Sequence, residues 1–334
     1  MINHPNPFDP AAIAAETAAF NAWLEDQFAG VPQVHTVPPA LTRKARAEGS
    51  SVFPDAGPRA GSDWAPVPGA PGGPGRVRIS LPEDAQRDKP RGTYLHIHGG
   101  GWTLGTPDLY DAHNQRIAAA TGCRVVSVQY RLAPEHPWPA CAEDCEAAAI
   151  WALEEFGGPL VIGGESAGGH LSAVTLLRLK ARGLSGQVAG VVLNYGVFDM
   201  RLTPSMANWG ERYLVLSTPV VAWFCDNLLP GGPVDRADRG HPSISPLMAE
   251  LSGLAPALLQ VGTCDPLVDD TLFMSQRWQA AGNRAELAVY PGGVHAFDMF
   301  DLAIAHASRA RQDAFVNARV QEWHAVPSGA VAQI

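Results

Sequence analysis

The sequence predicts an α/β fold, a mostly parallel central sheet with helices on both faces. Three observations point there. Strand-like and helix-like stretches alternate through residues 93–323. The stretches Val-Val-Ser-Val (125–128) and Gly-Val-Val-Leu (190–193) are near-continuous apolar runs, as expected of strands covered on both faces. At 160–171 an apolar run meets a Gly-x-Ser-x-Gly turn (Gly164, Ser166, Gly168) and passes straight into a helix-forming stretch. A serine on such a turn is forced into strained backbone angles, which neighbours as small as Ala167 and Gly169 accommodate.

Taken in order, Asp9-Pro10 predicts a helix start, with Ile13, Phe20, Trp23, Leu24 and Phe28 at helical spacing and Gly30 and Pro32 as the stop. Residues 31–50 read as a connector. Pro and Gly crowd 54–75, yet the period-two stretch 76–81 and Trp-Ala-Pro-Val (64–67) read as a pair of edge strands as readily as a linker. Strands are then expected at 93–97, 123–129, 160–163, 188–194, 257–261 and 285–290. Helices are expected at 111–120, 140–156, 167–182, 271–281 and 303–323. The alternation lapses between 199 and 251, where Trp209, Tyr213, Leu214, Val220, Val221, Trp223 and Phe224 give aromatic-rich helical fragments, an insertion suited to capping the sheet.

With 334 residues, 46% hydrophobic and 17% charged, the chain can bury a large core. A net charge of −9 without a Lys/Arg cluster argues against nucleic acid and anionic membranes as partners. No apolar run reaches the roughly 20 residues of a membrane helix. The start, Met-Ile-Asn-His-Pro-Asn-Pro-Phe-Asp, has neither the basic nor the apolar part of a signal peptide. The five cysteines (Cys123, Cys141, Cys145, Cys225, Cys264) lack a disulfide or metal spacing and are expected as reduced core thiols, which places the chain in the cytoplasm.

Four stretches carry the residue types of acyl-transfer chemistry. Ser166 is the candidate nucleophile. His-Gly-Gly-Gly-Trp (98–102) follows a strand and leaves backbone N–H groups uncovered; each such donor to a tetrahedral oxyanion contributes roughly 3 kcal/mol in the transition state. Asp265 ends the strand at 257–261 in the stretch Gly-Thr-Cys-Asp-Pro, placed to orient an imidazole, with Asp269 and Asp270 as rivals that would open the next helix. His295, in a glycine-containing loop after the strand at 285–290, is placed to reach Ser166, and the order Ser, Asp, His is that of strand-to-helix elbow enzymes. His96 and His98 form a His-x-His pair without an evident third metal ligand, and no metal is expected.

These residues resemble the hormone-sensitive-lipase-like (bacterial family IV) esterases of the α/β-hydrolase superfamily. The resemblance covers roughly residues 60–320 and is carried by His-Gly-Gly-Gly-Trp (98–102), Tyr-Arg-Leu-Ala-Pro-Glu-His-Pro-Trp-Pro-Ala (130–140) and Gly-Glu-Ser-Ala-Gly-Gly (164–169). Ser-Pro-Leu (245–247), Asp-Pro-Leu (265–267) and His-Ala-Phe (295–297) add to it. It implies an α/β-hydrolase fold with a helical cap: cap helices in 1–50, core in 51–198, a cap insertion in 199–245 and core again in 246–334. It further implies Ser166 as nucleophile, His295 as base and Asp265 as its carboxylate, an oxyanion hole from the N–H groups of Gly100, Gly101 and Ala167, and no cofactor. Trp102, Tyr195 and Glu165 are expected at the substrate. Two departures stand out: Glu165 where the family usually has Asp, and Ala296 where Gly is common.

The implied activity is a serine carboxylesterase acting on small-molecule esters with short acyl chains. The same machinery would serve a lactone, an amide, or an acetylated sugar or natural product. A non-catalytic binder is the alternative of a different class, as in the plant gibberellin receptors, which resemble the family but lack the histidine. The aromatic cap, with no exposed cationic cluster, points to uncharged apolar acyl groups. A homodimer through 285–290 and 303–323 is the expected assembly.

Overall fold

One sheet of eight strands, in the order β1-β2-β4-β3-β5-β6-β7-β8, organises the molecule. The computed structural model describes residues 6–325 except 51–52, 54–55, 74, 84–86 and 230–235. The first residues of the stretch read for a leader, the expected boundary at 51 and the chain's last residues lie outside that set. Helices α1 (Ala15–Ala29) and α2 (Pro39–Ala47) precede β1 (Ser62–Val67), β2 (Gly75–Ser80) and β3 (Thr93–Ile97). Then follow α3 (Asp111–Thr121), β4 (Arg124–Gln129), α4 (Ala140–Phe156), β5 (Leu160–Glu165), α5 (Ala167–Ala181) and β6 (Val188–Asn194). The interval after β6 holds α6 (Pro204–Asn208), α7 (Thr218–Leu228) and α8 (Arg236–Arg239). The chain closes with β7 (Ala257–Cys264), α9 (Val268–Ala280), β8 (Ala285–Val294) and α10 (Ala303–Ala325).

β1 and β2 run antiparallel at one edge, and the pairs from β4 through β8 are parallel. Alternate side chains of the parallel strands feed two cores. Leu95, Val126, Ile162 and Leu193 pack with α4, α5 and α9, while Tyr94, Val125, Val161 and Val192 pack with Ile117 of α3 and Phe315, Val316 and Val320 of α10. Burial on both faces is why apolar residues dominate the middle of these strands. The chain leaves β3 for β4 on one side and reaches β5 on the other, so the carboxyl ends of β3 and β5 flank a switch in strand order. Open parallel sheets bind ligands at such a point.

Two expectations at the N-terminal end change. Asp9 does cap a turn, its carboxylate accepting from Ala11 N–H at 2.9 Å, but that turn is a 3₁₀ piece (Pro10–Ala12). Ile13 is extended, so the helix proper begins only at Ala15. Trp23 then faces solvent at 49% exposure, while Leu24 and Phe28 are buried. Residues 31–50 are more than a connector: Pro39 occupies the first turn of α2, where its missing N–H costs nothing. The Pro/Gly-rich interval does join two edge strands, with Ser62 opposite Ser80.

β2 is fastened to α3 by a buried ion pair. Arg78 donates to both oxygens of Asp111 at 2.6 Å, and Arg59 N–H adds a bond at 2.7 Å. Removing the charge from Asp111 leaves a desolvated guanidinium. Asp111→Asn is expected to lower unfolding free energy by about 3 kcal/mol in urea titration, without loss of secondary structure.

Candidate active site

Ser166 alone forms the turn between β5 and α5, at φ +58° and ψ −120°. A non-glycine residue held there is strained by about 1–3 kcal/mol, so its surroundings must dictate the angle. They do so by close approach. A Cβ on Gly164 would lie 2.1 Å from the Ile97 carbonyl oxygen at the end of β3, and one on Gly168 only 1.8 Å from it. Ser166 N–H donates to Asn194 O of β6 at 2.9 Å, which fixes the turn from the other side.

The side chains on the loops after β7 and β8 meet this serine. Ser166 Oγ lies 2.9 Å from His295 Nε2, and His295 Nδ1 lies 2.9 Å from Asp265 Oδ2. Asp265 is fully buried, and its other oxygen accepts from Leu267 N–H at 2.9 Å. With a carboxylate on Nδ1, that nitrogen carries the proton and Nε2 is free to accept from the serine hydroxyl. The rival carboxylates serve elsewhere: Asp270 accepts from Phe198 and Asp199 N–H at 2.6 and 3.0 Å, and Asp269 from Ser205 N–H at 2.8 Å.

The loop after β3 lies beside Ser166. Gly100 and Gly101 have φ +114° and +59°, and a Cβ on Gly101 would fall 2.2 Å from the ring of Phe224 in α7. Only glycine lets the cap helix settle this close. The N–H groups of Gly100, Gly101 and Ala167 donate to no described residue, whereas Gly99 N–H is taken. Ala167 opens α5, where unpaired amides and the helix dipole favour negative charge.

What takes Gly99 is Glu165. Its Oε1 accepts from Gly99 N–H at 2.7 Å, its Oε2 lies 3.2 Å from His96 Nε2, and its charge faces the Tyr110 phenol. Glu165 thus ties the elbow to the glycine loop, and it also lines the cavity over Ser166, where substrate contact is expected. His96 Nδ1 meets Ser127 Oγ at 2.8 Å. Donor atoms of His96, His113 and Glu165 lie within 4.8 Å of one another, a grouping the His-x-His pair did not indicate. Hydrogen bonds hold His96 and Glu165, while His113 packs its ring against His96 and Tyr110. His98 is elsewhere, stacked on Tyr130 at 4.2 Å with Nδ1 donating to Gly99 O.

Of the other two residues expected at the substrate, Tyr195 lines the cavity and Trp102 does not. Trp102 is 1% exposed and does not line the cavity; its Nε1–H donates to His170 Nδ1 at 3.1 Å. Tyr195 lines the cavity edge-on to His295, ring centroids 4.9 Å apart, and its hydroxyl donates to Asp298. Burial pushes the Asp298 carboxyl up to about 6. The cavity over Ser166 measures about 480 Å³ and is walled by Phe28, Val34, Leu41, Tyr213, Leu216 and Phe224 among others, drawn from α1, α2 and the α6–α8 interval.

A family model described as an alpha/beta hydrolase fold matches residues 94–299. The chain belongs to that family. Within it, the chain is a member of the hormone-sensitive-lipase-like branch. It is 43% identical over 221 residues to the carboxylic ester hydrolase LipN of Mycobacterium tuberculosis, covering 62% of this chain and 58% of that one. It is 34% identical over 243 residues to the carboxylesterase NlhH of the same species, covering 70% and 74%. The solved structure of a hormone-sensitive lipase from a metagenome library superposes with a TM-score of 0.78 at 26% identity, covering 91% of this chain and 98% of that one.

The hydrolase uses residues that sequence reasoning passed over. Tyr110 and Asp298 had no motif to mark them, although Asp298 stands three places after His295. His170 was set aside as unplaced, yet it accepts from Trp102 and donates from Nε2 to Ile244 O at 2.7 Å, joining the elbow helix to the loop before β7. Burial pulls its pKa from 6.5 to about 4, and protonating Nδ1 would break the Trp102 bond. Below pH 6.5 the unfolded chain takes up a proton here that the folded one refuses. Stability is therefore complete above 6.5 and falls on acidification towards 4. Urea unfolding at a series of pH values is expected to show that fall, and His170→Gln, which can still accept and donate, to make it shallower by up to about 3 kcal/mol.

Proposed function

We propose that the chain is a serine carboxylesterase that hydrolyses short-chain carboxylic esters through an acyl-enzyme. The observation that carries this reading is the hydrogen-bonded line Ser166–His295–Asp265 beside three backbone N–H groups that donate to no described residue, with Ser166, His295, Gly100 and Gly101 lining one cavity. As an ester carbonyl reaches Ser166, Oγ attacks carbon and its proton passes to His295 Nε2. The charge that gathers on the carbonyl oxygen is met by the N–H groups of Gly100, Gly101 and Ala167. Asp265 keeps the imidazole in the productive tautomer and stabilises its charged form. The protonated Nε2 then gives its proton to the departing alkoxide, leaving Ser166 esterified. Water repeats the sequence: His295 takes its proton, the acyl carbon is attacked, and the carboxylic acid leaves as Ser166 Oγ is reprotonated.

Short acyl chains are favoured by a cavity of about 480 Å³ closed by aromatic side chains, and the curated names of LipN and NlhH point to the same chemical class. A cytoplasmic setting accords with five free cysteines, of which Cys141 and Cys225 are buried with thiols pushed up to about 12. A homodimer would use the open edge of β8 beside α10.

Ser166→Ala is expected to lower kcat/KM for p-nitrophenyl butyrate by about 10⁴-fold or more, with the fold intact by circular dichroism. A fluorophosphonate should label the parent protein at Ser166; absence of labelling in folded protein favours a binder. Across p-nitrophenyl esters of two to twelve carbons, kcat/KM should peak at or below six. A maximum at ten or twelve removes the short-chain preference.

A further inference from the structure

We propose that this hydrolase selects esters carrying a free carboxylate, which pairs with Arg46 in the wall of the catalytic cavity. The proposal rests on the serine-esterase reading above and adds the class of substrate.

Arg46 lies in the last turn of α2, a helix absent from the sequence-based reading. Leu41, Thr42, Ala45 and Arg46 line the cavity, spaced i, i+1, i+4 and i+5, so one face of α2 looks onto it. The helix's two arginines have opposite situations. Arg43 turns into the protein and spends its donors on Thr103 O at 2.7 Å, Ala133 O at 2.6 Å and both oxygens of Glu135 at 2.9 Å. The side chain of Arg46 has no hydrogen bond or ion pair with any described residue.

Its described surroundings do not supply a counter-charge. Among the described residues lining the cavity, Arg46 is the one Lys or Arg, and Glu165 the one Asp or Glu. The Glu165 oxygens are already committed to Gly99 and His96. The groups that face the guanidinium most strongly are the phenols of Tyr110 and Tyr213, and burial pushes both up, so they stay neutral. The same burial pulls Arg46 down from its ordinary value, a measure of how poorly its charge is solvated. Favourable placement at a helix C-terminus does not explain this. Lys44, one turn position away and exposed, gains the same dipole interaction without leaving water.

A half-buried, unpaired guanidinium has lost hydration without gaining a partner, and a carboxylate restores both through two parallel N–H···O bonds. Tyr110 joins the two regions of the cavity, since it lines the same wall as Glu165 and Ser166 and faces Arg46. A substrate spanning from Ser166 towards Arg46 would put its ester at one end and its anion at the other. This replaces the expectation of uncharged acyl groups, which considered the 199–245 insertion and not α2.

The anion could sit on either side of the ester bond, and two substrate pairs separate the cases. Mono-p-nitrophenyl adipate against p-nitrophenyl hexanoate tests an anionic acyl group; 4-acetoxybenzoate against phenyl acetate tests an anionic alcohol. In the parent enzyme kcat/KM for one anionic member should exceed that for its neutral partner by about tenfold or more. That ratio should shrink with added salt. Arg46→Gln should collapse the ratio by about 10- to 100-fold, chiefly through KM, as expected for losing a charged hydrogen-bond pair, and Arg46→Lys should recover part of it. Neutral esters hydrolysed with neither anionic member preferred would overturn the role of Arg46 and leave the esterase reading standing. A preference that Arg46→Gln leaves unchanged does the same. If none of the four esters is hydrolysed by folded protein, the esterase reading itself fails.

Discussion

The catalytic end of the molecule depends on a single backbone approach, the Ile97 carbonyl pressed against Gly164 and Gly168. Any side chain at either glycine would occupy the space of that oxygen. Because the approach is so close, the end of β3 and the elbow after β5 behave as one rigid piece. The strained angle of Ser166 and the exposed amides of Gly100 and Gly101 are then set together. Glu165 reinforces the joint from the side by binding Gly99 N–H. A carboxylate one methylene longer than the family's usual Asp reaches both the glycine loop and His96 while remaining buried.

Much of this was legible in the sequence, and what was not has physical reasons. The strands from Thr93 to Val294 declare themselves because burial on both faces leaves no room for polar residues, and glycines at 99–101, 164, 168 and 169 mark the places where backbones nearly touch. Ser166, Asp265 and His295 each follow a strand, so their convergence could be expected from topology alone. The α2 helix was hidden because its nine residues begin after two prolines and bury no side chain fully. Its stability comes from tertiary contacts such as Arg43, which periodicity cannot report. Trp102 misled for a related reason: motif position says that it is near the serine, not which way the ring turns. It points down onto His170, with φ +57°.

Around His295 the protein builds a second layer of order. Tyr195 lies edge-on to the imidazole and is itself held by Asp298, so the ring is confined by packing as well as by Asp265. Asp298 is in turn approached by Arg309 of α10, which donates to its backbone carbonyl. Helix α10 thereby has a hand in where the imidazole sits.

The cavity's walls have a further consequence for inheritance. The nucleophile, glycine loop, carboxylate and histidine all fall within residues 94–299, the stretch that matches the family model, whereas Phe28, Val34, Leu41 and Arg46 precede it. Part of the cavity wall is thus written in a segment of the chain separate from the triad and the glycine loop. A substitution or segment exchange in the first fifty residues can redraw what is admitted while the reacting groups keep their positions. Two relatives can accordingly share the whole catalytic apparatus and still divide the world of esters differently.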